Sequence, residues 1–191
     1  MFMGYYWNLL YRLKFIKRWG TSISIEPESV AEHSYYVAVA AYLLAEIDEK
    51  LNGVRVDKEK LLVRALYHDS YECYTSHIVS PIKHHTSETV FAIKVATKDY
   101  SERMEEMLED TCLDQISKQG DSFDKTGIYI EVADLIDAYC FCALQVHLGN
   151  KDFESKLSLM REKIYKCLVE HNFVKYFVEN YFDEHSFEIV Y

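Results

Sequence analysis

A chain of 191 residues with 49% hydrophobic content is long enough to bury a full core, and it is expected to form one domain over residues 1–191. Its formal net charge of -10 argues against a general nucleic-acid binder, which needs a basic surface to neutralise phosphates. A small phosphorylated ligand held by one local cation stays compatible with that charge.

Only 2 prolines and 6 glycines, set among long periodic segments, predict an all-α protein. The 5 cysteines are odd in number and lack a disulfide-framework spacing. With no signal peptide ahead of the first helix and no apolar run of membrane-spanning length, the expectation is a cytoplasmic protein with reduced thiols.

The first helix is expected over Tyr5–Trp19. Trp7, Leu10, Tyr11 and Ile16 would bury one side, and Arg12, Lys14, Lys17 and Arg18 would crowd the other. Basic residues suit the C-terminal end of a helix dipole, which by itself accounts for Arg18. Gly20 breaks the helix, and residues 21–27 read as a β-prone connector.

The second helix begins at Ser29-Val30-Ala31-Glu32, a capping box in which Ser29 caps and Glu32 reaches back. Its inward stripe reads His33, Val37, Ala40, Ala41, Leu44, Ile47 and Leu51. His33 thus falls on the buried face, as a satisfied core histidine or as a metal ligand. Asn52-Gly53 closes this helix, and Asp57 can cap the third.

The third helix carries the densest chemistry. Leu61, Leu62, Ala65 and Leu66 form an apolar face that continues by helical steps to His68, Asp69 and Glu72. A core-facing helix that turns polar places those groups where an unpaired charge is very costly. A divalent cation or an internal ion pair with an arginine must neutralise them. The segment from Cys73 to Pro81 then leaves the helical path and is well placed to touch a ligand, whereas Lys83, His84 and His85 read as ordinary solvated surface.

Thr86 or Ser87 can cap a long helix reaching about residue 118, with a charged face over an apolar one, and a polar loop from Gln119 to Lys125 follows. The next helix, Gly127 to Leu148, is apolar on nearly every side, as a central helix is. Asp134 sits in its middle and needs a strong partner. A cation held jointly with His33, His68 and Asp69 would supply one. Asp137 competes for that role, and spacing alone does not choose between them. Cys140-x-Cys142 in this run reads as core packing.

From Phe153 an amphipathic helix presents Leu157, Met160, Ile164 and Leu168, and a shorter one carries Phe173, Tyr176, Phe177, Tyr181 and Phe182. These are packing elements or, for the aromatic tail, the interface of a homodimer.

The order His33, His68-Asp69, Asp134 resembles the H…HD…D pattern of the HD-domain metal-dependent phosphohydrolases. Arg12-Leu13-Lys14, Arg18-Trp19, Val30-Ala31-Glu32-His33-Ser34, Tyr67-His68-Asp69-x-x-Glu72, Pro81-x-Lys83 and Ala133-Asp134 narrow the resemblance to the YfbR-like 5'-deoxynucleotidases. It spans roughly residues 8 to 83 and resumes around 131 to 142.

That resemblance implies an all-helical HD bundle hydrolysing deoxyribonucleoside 5'-monophosphates to nucleoside and phosphate. It also implies one divalent cation on His33, His68, Asp69 and Asp134, the alanine-aspartate pair deciding for Asp134 over Asp137. Two imidazoles and two carboxylates suit Co, Mn, Fe, Ni or Zn rather than Ca. Such a cation lowers the pKa of water toward neutrality and polarises a phosphoryl oxygen. By the same resemblance Glu72 is the catalytic carboxylate, Arg18 orients the phosphate, Trp19 shapes the nucleoside end, and Ser80 and Lys83 belong to the substrate side.

One departure stands out. Where the family usually has a Gly-Asp pair whose aspartate contacts the sugar, this chain has Ser76-His77, so sugar preference is expected to differ. Alternative readings are an HD-type phosphodiesterase using His77, His84 or His85, a phosphohydrolase of another phosphorylated metabolite, and a non-catalytic nucleotide-binding HD protein.

Overall fold

The computed structural model describes residues 3–79, 82, 85–106 and 125–181. In it the chain is helical, and the only extended pairing among the described residues is an isolated antiparallel bridge between Lys17 and Ser29. Among the described residues no helix is long and apolar enough to cross a membrane.

Helix α1 (Met3–Arg12) is shorter than the sequence predicts. Its C-terminal end tightens into i→i−3 bonds, Leu13 N to Leu10 O at 3.0 Å and Phe15 N to Arg12 O at 2.8 Å. The chain then runs extended beside residues 28–30, with Arg18 N on Glu28 O at 3.0 Å and Val30 N on Ile16 O at 3.0 Å. This pairing takes Arg18 off the helix and into the interior, so the dipole does not account for it. The buried face of α1 is also shifted by one residue. Tyr6, Leu9 and Leu13 pack with Val30 and Cys73, while Trp7 is 66% exposed and Tyr11 51%.

Helix α2 (Val30–Asn52) starts as predicted. Glu32 N donates to Ser29 Oγ at 3.2 Å and Ser29 N donates to Glu32 Oε2 at 2.7 Å. It ends on Gly53, whose φ of 69° is the left-handed conformation that glycine adopts without steric cost. His33, Val37, Ala41, Leu44 and Ile47 are buried, but Leu51 is exposed because the helix outruns the body at its end.

Asp57 caps α3 (Lys58–Tyr67), accepting from Lys60 N at 3.0 Å. Here the structure departs from one continuous helix through Glu72. Residues 68–71 form a turn, with Ser70 N on Tyr67 O at 3.0 Å and Glu72 N on Asp69 O at 3.0 Å, before the single turn α4 (Glu72–Thr75). His68 Nδ1 donates to Ala65 O at 2.7 Å, occupying a carbonyl at the helix end. Leu61 and Ala65 are buried, but Leu66 is exposed.

Helix α5 (Ser87–Glu106) begins beside Thr86, whose hydroxyl accepts from Thr89 N at 3.1 Å. Tyr74 stacks on Tyr100 of this helix at 4.6 Å. Its apolar residues Phe91 and Val95 are exposed. The helix expected to reach about residue 118 and the loop from 119 run outside the described residues.

Helix α6 (Thr126–His147) is the central element. Its first half joins α2, α3 and α8 (Asn172–Tyr181) in one core containing Leu44, Leu61, Tyr129, Ile136, Phe173 and Phe177. Its second half, with Phe141 and Cys142, packs against Phe153, Leu157 and Met160 of a 3-10 turn and α7 (Glu154–Glu170). Phe173 and Phe177, considered for a subunit interface, are therefore buried within the chain's own core; Tyr181 is exposed, and Phe182 lies outside the described residues.

Candidate active site

Three segments meet over Asp134 and Asp137 in the middle of α6: the run 16–29, the first turn of α2, and the turn after α3. His33 is the hub and is fully buried. Its Nε2 lies 3.2 Å from His68 Nε2, 3.2 Å from Asp134 Oδ1 and 3.6 Å from Asp69 Oδ2, while His68 Nε2 is 3.4 Å from Asp69 Oδ2. The first turn of α2, the turn after α3 and helix α6 thus bring His33, His68, Asp69 and Asp134 together around His33 Nε2.

The other face of each imidazole is engaged. His33 Nδ1 donates to Asp137 Oδ2 at 2.6 Å, with Arg18 Nη1 2.5 Å from the same nitrogen, and His68 Nδ1 donates to the Ala65 carbonyl. Both Nε2 atoms therefore face the same small space as two carboxylate oxygens. Two imidazole lone pairs and two anionic oxygens repel one another unless a positive charge lies among them. In the metal-free chain a proton supplies it. Burial alone would depress His33, but hydrogen bonds to Asp134, Asp137 and Asp69 outweigh this and push its pKa up to about 10.

A divalent ion fits the same space better than a proton. Metal–nitrogen and metal–oxygen bonds of roughly 2.0–2.2 Å place neighbouring donors about 3–3.5 Å apart, the range seen around His33 Nε2. His33, His68 and Asp134 offer ligand atoms close enough to share one ion. Asp134 is half exposed and His33 not at all, so the cluster opens on the Asp134 side.

Behind His33 lies a charge network that the sequence reading did not foresee. Arg18, buried, places Nη1 2.8 Å from Glu28 Oε2 and 2.9 Å from Asp137 Oδ2, and Nη2 3.5 Å from Asp134 Oδ1. Asp137, weighed only as a rival ligand, sits on the opposite nitrogen of His33. Glu28 is pushed up to about 7, first by burial and then by the neighbouring Asp137 charge, against the pull of Arg18. Its place next to a capping serine carried no sequence signal. The segment is anchored by buried Gln145, which accepts from Ile25 N and donates to Glu26 O, both at 2.8 Å.

Trp19 adopts a positive φ of 61°, unusual for a non-glycine residue, and stacks flat on Phe141 with centroids 5.5 Å apart. Its indole Nε1 and the neighbouring Arg18 Nε are buried without a hydrogen-bond partner. Two orphaned donors side by side call for an acceptor.

Glu72 is fully buried, and His77 Nδ1 lies 3.2 Å from both of its carboxylate oxygens. His77 thus faces inward, onto the carboxylate. His85 lies outside these contacts on an exposed stretch, and Ser80, Lys83 and His84 lie outside the described residues.

Comparison with known proteins identifies the family. The family model for 5'-deoxynucleotidase YfbR-like proteins matches residues 5–185. A 4'-phosphooxetanocin A phosphatase from Priestia megaterium is 34% identical over 175 residues, covering 89% of this chain and 88% of the relative. The 5'-deoxynucleotidase YfbR of Escherichia coli is 29% identical over 156 residues, covering 80% and 78%. Among solved structures, an HD-domain phosphohydrolase from Listeria innocua superimposes with a TM-score of 0.78 at 24% identity, over 93% of this chain and 86% of that one. The cyanophage S-2L HD phosphohydrolase DatZ, bound to dA and one catalytic Zn2+ ion, superimposes with a TM-score of 0.70 at 16% identity, over 96% of both chains, and attests the fold. With the family model matched over nearly its whole length, this chain belongs to the YfbR-like 5'-deoxynucleotidases, metal-dependent hydrolases of the HD fold.

Proposed function

We propose that the protein is a metal-dependent phosphomonoesterase acting on nucleoside 5'-monophosphates, built as a single HD domain, with His33, His68, Asp69 and Asp134 as the ligands of one divalent cation. The observation that carries this reading is the approach of three donor atoms to His33 Nε2 at 3.2–3.6 Å, with both imidazoles turned to present Nε2. The phosphatase activities named for the relatives above support the substrate class.

When bound, the cation supplies Lewis-acid polarisation of the phosphoryl group and a lowered pKa for water. The remaining steps belong to the chain's own residues. Asp137 holds His33 in the tautomer that presents Nε2 inward. Glu72, on the turn beside Asp69, takes a proton from the attacking water and delivers one to the leaving 5'-oxygen. Arg18 has spent Nη1 on Glu28 and Asp137, so Nε and Nη2 are the edge it turns to a phosphoryl group, a two-pronged geometry that lysine cannot copy. Trp19, beside it, offers an indole N–H to the nucleoside end.

The test is phosphate release from ribo- and deoxyribonucleoside 5'-monophosphates with Co, Mn, Ni or Zn in turn. Activity is expected with at least one, and Glu72→Ala is expected to keep its metal while losing roughly two to four powers of ten in rate. A Glu72→Ala protein that loses its metal would overturn the assigned role, and two metals per chain would favour the phosphodiesterase reading.

A further inference from the structure

We propose that His77 is a positioning residue for the proton-transfer carboxylate: its Nδ1–H holds both oxygens of Glu72, and a strained turn at Ser76 exists to bring it there. The proposal rests on Glu72 acting as the proton carrier and adds to that reading a residue which carries the carboxylate's orientation.

Three observations converge. First, Glu72 is fully buried, and a buried carboxylate is stable only with donors. His77 Nδ1 stands 3.2 Å from Oε1 and 3.2 Å from Oε2, astride the carboxylate rather than on one edge. Such a donor fixes the rotation of the group.

Second, His77 follows Glu72 by five residues, and α4 ends between them at Ser76. A helix carried past that point would point residue 77 away from residue 72, since neighbours on one helix face lie three or four apart. Ser76 instead takes φ 60° and ψ 174°, a region populated essentially by glycine. Its N–H still closes on the main-chain carbonyl of Glu72 at 2.8 Å, completing the last turn of α4, and the chain leaves the helical path only beyond that point. A β-carbon in that conformation is strained, and surrounding contacts must offset the strain. The His77–Glu72 pair is one such contact.

Third, His77 is 86% buried by its 14% side-chain exposure, so solvent competes little for the bond. With Nδ1–H committed to Glu72, the imidazole keeps Nε2 as an acceptor. When Glu72 takes up a proton on one oxygen, the same Nδ1–H remains on the other, now the carbonyl oxygen, so the carboxyl group need not rotate between collecting the proton and releasing it. No covalent bond to His77 forms or breaks.

The test uses the zinc-loaded full chain. Side-chain 15N NMR of His77 is expected to show the Nδ1–H tautomer, and to lose it in Glu72→Ala. This measurement needs no turnover, so it stands even if no nucleotide proves to be a substrate. In kinetics, His77→Leu is expected to lower kcat about tenfold to a hundredfold, the scale of a misplaced catalytic group, with KM changed less than about twofold. His77→Asn, whose amide N–H occupies the place of Nδ1–H, is expected to recover most of that loss. An Nε2–H tautomer in the wild type would overturn the proposal. So would equal kcat losses in Leu and Asn, or a loss confined to KM, which would mark His77 as a substrate contact. Should His77→Leu fail to fold, the tautomer and the Asn variant decide alone.

Discussion

Replacing Asp137 separates its two roles, because the carboxylate both accepts from His33 Nδ1 at 2.6 Å and pairs with Arg18 Nη1 at 2.9 Å. Partners of this kind behind a ligating histidine typically contribute 10–100-fold in metal affinity, roughly 1.4–2.8 kcal/mol. Asp137→Ala is expected to lose that amount. Removing one member of a buried ion pair costs about 3–5 kcal/mol of stability. Here the lower end applies, since Arg18 keeps Glu28 at 2.8 Å and Asp134 at 3.5 Å. Glu28, held near 7 by burial and then by the Asp137 charge, ionises more fully once that charge is gone and offsets part of the loss. In Asp137→Asn the amide oxygen still accepts from His33, so metal affinity should stay within about tenfold of wild type. Stability should fall all the same, because the charge facing Arg18 is gone. Competition with a chromophoric chelator measures the first quantity, and denaturant melts in excess EDTA measure the second. Wild-type metal affinity in Asp137→Ala would refute the positioning role. Complete loss of metal would show that Asp137, not Asp134, is the ligand.

The metal-free chain should lose stability as pH rises. His33 at about 10 lies above its ordinary 6.5, so its contribution is full below about 6.5 and is lost as pH climbs through about 10. Glu28 at about 7, raised from 4.5, has the same sign and loses its contribution across that lower window. Melting in EDTA should therefore show Tm falling from pH 6 toward 9, and loading with zinc should flatten the slope, because the ion replaces the proton; parallel slopes would count against a metal among these donors. Ser76→Gly should raise stability by about 1 kcal/mol, seen as a higher denaturant midpoint, because glycine adopts the positive φ freely. Gln145→Ala should cost roughly 1–3 kcal/mol by unpairing Ile25 N and Glu26 O, and should weaken activity through the loosened segment that carries Arg18. A midpoint unchanged from wild type would show that this segment is held by other contacts.

Much was legible in the sequence because it depends on local rules. The capping box at Ser29, the left-handed stop at Gly53, the Asp57 cap and the apolar saturation of α6 are written in short-range pattern, and they give the helices their order. The four residues grouped around His33 Nε2 were legible for a related reason. Polar groups continuing an apolar stripe must be compensated together, which groups His33, His68 and Asp69 with Asp134 or Asp137, and the family resemblance prefers Asp134.

What tertiary structure decided is where a local pattern yields to a distant partner. Helix periodicity through Trp19 is overridden because the interior carboxylates Glu28 and Asp137 take Arg18, and the chain leaves the helix at Arg12 to deliver it. The stripe from Leu61 to Glu72 breaks at Tyr67, so His68, Asp69 and Glu72 are aimed by a turn rather than by helical spacing. His77 shows the same limit from the other side: nothing in Ser76-His77 announces a strained reversal, since serine does not favour that backbone. The buried carboxylate of Glu72, five residues back, gives the imidazole its reason to turn inward.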